Sequence, residues 1–189
     1  MKTLLTFTFL LLLFPFITLN GQIPGEFDPD FATEEIVTNT DNDYEKSNAI
    51  IVQPDGKILI AVENNAHFSV YRYNTDGSVD SSFNENGYTW TNLGVLDIPL
   101  DIIMQSDNKI VVAGISVPFG DLTEFGIVRY KPDGTKDSSF NDDGRLAFAF
   151  DDDSDYSGAY SIVIQPDGKI VLGGTVWGES GYDFALARL

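Results

Sequence analysis

The chain has 189 residues, 43% of them hydrophobic and 13% aromatic, with a formal net charge of -18. That apolar content is enough for one packed core and too rich for a disordered chain. The acidic balance excludes partners that present phosphate backbones or anionic lipid, so nucleic acid and membrane surfaces are not expected ligands. With no cysteine there is no disulfide, thiolate nucleophile or Cys-based zinc site.

Residues 1–21, MKTLLTFTFLLLLFPFITLNG, have one basic residue, an apolar stretch broken at Pro15, and a small or polar end. This is signal-peptide grammar, too short for a bilayer span, and it predicts a secreted protein beginning near Gln22 with no membrane attachment after cleavage. Residues 22–189 then form one repeat domain. It divides into the end of a repeat (27–46), two full repeats (47–98 and 99–158) and an incomplete one (159–189).

Each repeat predicts four short strands. Strand A is AIIV (49–52), with DIIM and SIVI as counterparts, and strand B is KILIAV (57–62), with KIVVAG and KIVLGG. Both are β-branched and nearly continuously apolar, as suits strands covered on both faces. Between them, Gln-Pro-Asp-Gly-Lys encodes a tight hairpin: Pro fixes φ for a type I turn, and Gly takes the left-handed position that follows. Asn108 replaces that Gly in the middle copy and is the next most tolerant residue there. Strand C alternates, with Phe68, Val70 and Arg72 on one side and Ser69, Tyr71 and Tyr73 on the other. A second Asp-Gly turn and an Asp-Ser-Ser-Phe segment lead to strand D, near Tyr88–Thr91 and Leu146–Phe150. The same segment opens the domain as FDPDF, where Asp28 and Phe31 align with Asp80/Phe83 and Asp137/Phe140.

The expected fold is all-β: a propeller-like array of four-stranded antiparallel blades, with about three blades' worth of strands present. Propellers usually need at least four blades, so the count predicts a partial or truncated propeller, or self-association in which two copies pool their blades. In a closed ring, the strand near Ile36 would complete the blade begun by residues 159–189.

The repeats IVQPDGKILIA, RYNTDGSVDSSFNENG, RYKPDGTKDSSFNDDG and SIVIQPDGKIVLGG resemble the delta-60 repeat, a module found in tandem in secreted bacterial proteins. The resemblance spans nearly all of residues 27–189 and departs from the pattern at Thr75, Ser106 and Asn108. It implies a β-propeller fold, no particular activity, and a cell-surface location where a sorting domain follows.

The A–B and C–D connections keep their length from repeat to repeat, whereas the B–C connections (63–67, 115–124, 175–183) do not, and these share one face with the D–A connections (40–46, 92–99, 151–158). Variable loops are the usual carriers of binding. Phe119, Trp177 and Tyr182 on that face form a candidate platform for an extracellular carbohydrate or peptide. Asp41 and Asp43, and Asp151, Asp153 and Asp155, are candidate Ca²⁺ ligands because alternating carboxylates converge oxygens within one turn; neither loop has the Gly and distal Glu of an EF-hand. The DSSFNDDG loop (137–144) is a weaker Ca²⁺ candidate in which Asp137 caps a turn instead. No other cofactor is indicated.

The recurring Arg72, Arg129 and Arg188 are expected to pair with the blade's own Asp in bidentate fashion. His67 is the only histidine, and no serine has a nucleophile-elbow sequence, so catalysis has little support. A binding or interaction module is the expected function. The alternative is an extracellular hydrolase or lyase on glycans or small esters using Asp/Glu, with Ca²⁺ as its ion.

Overall fold

The computed structural model describes residues 24–32, 37–38, 44–119, 122–150, 156–178 and 181–189. It contains three antiparallel sheets. The first holds β1 (Glu45–Val52), β2 (Ile58–Asn64), β3 (His67–Tyr73) and β4 (Tyr88–Thr91). The second holds β5 (Leu96–Met104), β6 (Ile110–Val117), β7 (Glu124–Tyr130) and β8 (Arg145–Phe148). The third holds β9 (Ser157–Ile164), β10 (Ile170–Gly178) and β11 (Gly181–Arg188). Each is an up-and-down meander in which sequence neighbours pair, with strands A to D running from one edge to the other. The third has strands A to C.

The Gln-Pro-Asp-Gly-Lys hairpin forms in every blade. The Gln53 amide donates to the Lys57 carbonyl at 2.7 Å, with 2.8 Å for Gln105 to Lys109 and for Gln165 to Lys169. The left-handed position is occupied as expected, at φ 85° for Gly56, 64° for Asn108 and 86° for Gly168. The C–D turns repeat this geometry, closing Asn74 on Ser78 and Lys131 on Thr135, each at 2.8 Å.

Because side chains alternate along a strand, each blade has a leading and a trailing apolar face. The leading face of the first blade (Leu59, Ala61, Phe68, Val70) packs with Phe83 on the trailing face of the second (Ile102, Ile110, Val112, Val128, Tyr130). Val111, Ala113, Phe125 and Ile127 on the second blade's leading face pack in turn on Ile162, Ile170 and Leu172 of the third. Two stacked interfaces of the same design make the core. The buried Tyr130 hydroxyl donates to Thr91 Oγ1 at 2.8 Å across the first interface, satisfying the one polar atom the ring carries inward. Inner strands are also stitched by hydrogen bonds, from Asn48 Nδ2 to the Pro99 carbonyl at 2.8 Å and from the Ile162 amide to Asp101 Oδ2 at 2.8 Å.

Several boundaries differ from the sequence expectation. The first B–C connection is a tight turn at Asn65 and Ala66, both at positive φ, and the strands extend to meet it. In the third blade the B–C connection is largely strand, with Trp177 directly opposite Tyr182. The D–A connection expected at 92–99 ends earlier, since β5 begins at Leu96. Asp97 explains that difference. Fully buried, it accepts the Leu93 amide at 2.7 Å, the Gly94 amide at 3.0 Å and the Ser116 hydroxyl at 2.8 Å, pinning the chain reversal onto β6.

Candidate functional site: the B–C end of the blades

The two ends of the blades are chemically different. At the A–B/C–D end, the recurring charges are consumed by the scaffold. Arg72 Nε donates to Asp80 Oδ2 at 2.7 Å, and Lys57 Nζ reaches the same oxygen at 2.7 Å. In the second blade Arg129 Nε and Lys109 Nζ meet Asp137 Oδ2 at 2.8 and 3.4 Å. The other carboxylate oxygen accepts from the amide and hydroxyl of Ser82, or of Ser139. The arginine is therefore paired with its own blade's Asp as expected, but through one nitrogen rather than a bidentate fork, because serine occupies the second oxygen. Each guanidinium also lies over the following phenylalanine, 4.5 Å from the Phe83 ring and 4.7 Å from the Phe140 ring.

These contacts set the protonation of the acids. Burial pushes the Asp137 carboxyl up, but the Ser139 hydrogen bonds, the Arg129 charge and Lys109 outweigh it and hold the group down at about 2. Asp80 is likewise lowered, with burial opposed by Lys57, Ser82 and Arg72. Asp76, Asp107, Asp133, Asp143 and Asp167 are lowered too, through bonds from turn amides and neighbouring Ser, Thr, Lys or Arg side chains. All seven are held as carboxylates suited to ion pairing and turn capping. The DSSFNDDG loop accordingly uses Asp137 for Arg129 and its own turn, and Asp143 for Arg145.

The B–C end carries aromatic rings on every blade. On the first, the His67 ring meets Trp90 edge to face at 4.9 Å, and Trp90 is largely exposed. These two line a shallow groove with Asn64, Asn65, Ser69 and Tyr88. On the second, Phe119 stands in the β6–β7 connection and is 97% exposed. On the third, Trp177 and Tyr182 pack edge to face at 4.7 Å with both rings solvent-accessible. The three residues expected to form a platform thus lie at one end of the array, two as a cross-strand pair and Phe119 apart from them on the next blade. Trp90 sits in strand D, three residues beyond Gly87, in a stretch that does not recur from blade to blade, so the repeat pattern does not single it out. His67 Nδ1 lies 2.6 Å from the Asn65 carbonyl, so its imidazole braces the hairpin.

Asp41, Asp43, Asp151, Asp153 and Asp155 lie outside the described residues. Among the described residues, no cluster of three acidic or histidine side chains could hold a metal ion.

Comparison with known proteins agrees with the blade count. The family described as "Domain of unknown function (DUF5122) beta-propeller" matches at residues 53–83, 105–140 and 165–189, one match on each sheet. No curated protein matches the sequence. Among solved structures, a virginiamycin B lyase from Staphylococcus aureus is similar at 16% identity and a TM-score of 0.36, over 76% of this chain and 41% of that one. A protein of unknown function from Bacteroides caccae is similar at 12% identity and a TM-score of 0.42, over 77% of this chain and 46% of that one. The chain spans less than half the length of both. Three meandering sheets, stacked through one repeated interface and each matched by the same β-propeller family model, give the chain a β-propeller-repeat fold.

Proposed function

We propose that this protein is a secreted β-propeller repeat protein of the delta-60 type that works as an interaction module, using the B–C end of its blades to hold an extracellular carbohydrate or peptide. One observation carries the reading: the three blades each present exposed aromatic surface at that end, through Trp90, Phe119 and the Trp177–Tyr182 pair. Flat rings flanked by amide and hydroxyl groups suit sugar faces and peptide side chains, which offer apolar patches beside hydrogen-bonding groups. The opposite end lacks this freedom, because its charges are tied to one another.

The test is binding of the purified protein to an array of extracellular polysaccharides and peptides. Trp177→Ser and Trp90→Ser should each lower the signal at least about tenfold, as loss of an aromatic anchor does, while Lys131→Ala at the other end leaves it unchanged. Equal signals from all three variants would overturn the reading. Release of a cleaved product would replace it with an enzymatic one. Secretion is tested by recovering the protein from the culture medium and sequencing its N-terminus, expected to begin near Gln22.

A further inference from the structure

The charges of the blades are sorted by end. Of the eleven Lys and Arg residues, nine flank the A–B and C–D connections, and six of those nine are in ion pairs with acids of the same end. The other two are Lys2, within residues 1–21, and Lys46. The six segments that join strands at the B–C and D–A end (40–46, 63–67, 92–99, 115–124, 151–158 and 175–183) carry thirteen acidic residues against Lys46 and His67. This sorting recurs in each blade, so it belongs to the repeat.

One acid at that end stands apart from the rest. Glu63 is 7% exposed, yet among the described residues its carboxylate has no hydrogen bond and no ion pair. Its register partner across β1 and β2 is Lys46, which is exposed and makes no ion pair with it. Asp97, also buried at this end, accepts the Leu93 and Gly94 amides and the Ser116 hydroxyl; Glu63 accepts from none. Side chains alternate along β2, so Glu63 shares the face of Leu59 and Ala61, which turns toward the second blade. It is the last residue on that face before the Asn65–Ala66 turn, and the exposure it keeps opens at the B–C end. A buried carboxylate without a partner is costly, and a cation that reaches it relieves the cost.

We propose that the ligand of the B–C end is a basic peptide segment of an extracellular protein, with one Lys or Arg side chain seated on Glu63. The proposal rests on the B–C end being the working surface and names the chemistry that it takes. Lys and Arg carry their charge on a long apolar stem, which lets the charge enter a recess while the stem covers apolar surface. An amino sugar holds its amine directly on the ring and is too wide to follow. The surrounding acids steer a cationic chain toward this end and repel uronate or sulfate polymers. Phe119, 97% exposed in the β6–β7 connection, offers the face of its ring to a second cation.

The test is fluorescence anisotropy of the purified protein with four probes: a synthetic Arg-Gly repeat peptide, the matching Ser-Gly and Glu-Gly repeats, and a chitosan oligomer. The Arg-Gly peptide should bind at least about tenfold more tightly than the Ser-Gly peptide and the chitosan oligomer, more weakly as salt rises, and the Glu-Gly peptide should not bind. Glu63→Gln should lower Arg-Gly affinity at least about tenfold and melt no lower than wild type, whereas Glu85→Gln, which removes an exposed charge at the other end, should leave the affinity unchanged. Equal binding of the Arg-Gly and Ser-Gly peptides, tighter binding of chitosan, or equal losses in the two variants would each overturn the proposal; the probe series on wild type decides it even if Glu63→Gln does not fold. Binding of a neutral polysaccharide that Trp90→Ser abolishes, with no preference for Arg-Gly, would overturn the basic-peptide ligand and leave the B–C end as the working surface. Arg-Gly binding that Glu63→Gln and Trp90→Ser both leave intact would remove that end as well.

Discussion

Replacing Arg129 by Met separates a structural from a ligand-binding role for the recurring arginine. The substitution keeps an apolar stem beside Phe140 and removes three things: the Nε bond to Asp137 at 2.8 Å, the Nη2 bond to Ser139 at 3.1 Å, and the cation over the ring at 4.7 Å. Breaking a buried ion pair by deleting one partner costs about 3–5 kcal/mol, because the remaining charge is stranded. Here the loss is smaller. Lys109 remains 3.4 Å from Asp137, and the Ser139 bonds to the other oxygen survive, so about 2–3 kcal/mol is expected. At about 2–4 °C per kcal/mol for a domain of this size, the melting temperature should fall about 5–10 °C. Arg72→Met should cost about 1 kcal/mol more, since Arg72 also donates to the Pro132 carbonyl of the next blade at 2.7 Å. Urea melts followed by tryptophan fluorescence give both values. A loss below about 0.5 kcal/mol in either variant, or normal stability with abolished ligand binding, would refute the structural assignment.

Other outcomes follow from the same geometry. The depressed carboxyls make stability pH-dependent: with Asp137 at about 2 in the folded protein and near 3.9 when unfolded, its contribution is full above pH ~4 and is lost as pH falls toward 2. Acid melts of wild type should therefore lose stability over that window, and Asp137→Asn should flatten the loss. Gly174→Ala places a Cβ 1.9 Å from the Gly158 carbonyl oxygen and 2.6 Å from Phe125 Cζ, whereas at Gly173 the nearest atom is Leu186 Cδ2 at 3.7 Å. The first should cost at least about 2 kcal/mol and the second little, by denaturant melts. Asn108, at φ 64°, should tolerate Gly and lose about 1–2 kcal/mol as Val, which meets the left-handed region badly. Millimolar Ca²⁺ should raise the melting temperature if the loops around Asp41 and Asp151 bind it, by up to ~2.7 kcal/mol of stability at 100 times the dissociation constant; an unchanged melt removes the ion from the account.

Repetition made the fold readable. Three copies of one turn show which residue must accept positive φ, and the exchange of Gly for Asn at position 108 confirms the conformation from chemistry alone. Faces of strand C were legible because Phe68, Val70 and Arg72 alternate with polar and aromatic positions. What did not repeat was harder to read. The Asn65–Ala66 turn lacks the Asn-Gly signature of a tight hairpin, so the sequence pattern marks shorter strands and a longer B–C loop than the fold has. Asp97 and Asp101 look like two more surface acids in an acidic sequence; only the fold brings one to buried amides and the other to the third blade's inner strand. Trp90 and Tyr182 could not be paired with His67 and Trp177 until register was known.

The central claim is that the recurring residues are scaffold and the aromatic B–C end is the working surface. The most direct measurement is the binding of wild type, Trp177→Ser and Lys131→Ala to the same polysaccharide and peptide array, with folding checked in parallel. The account predicts that binding drops for Trp177→Ser and persists for Lys131→Ala; the reverse pattern, with folding intact in both, would contradict it.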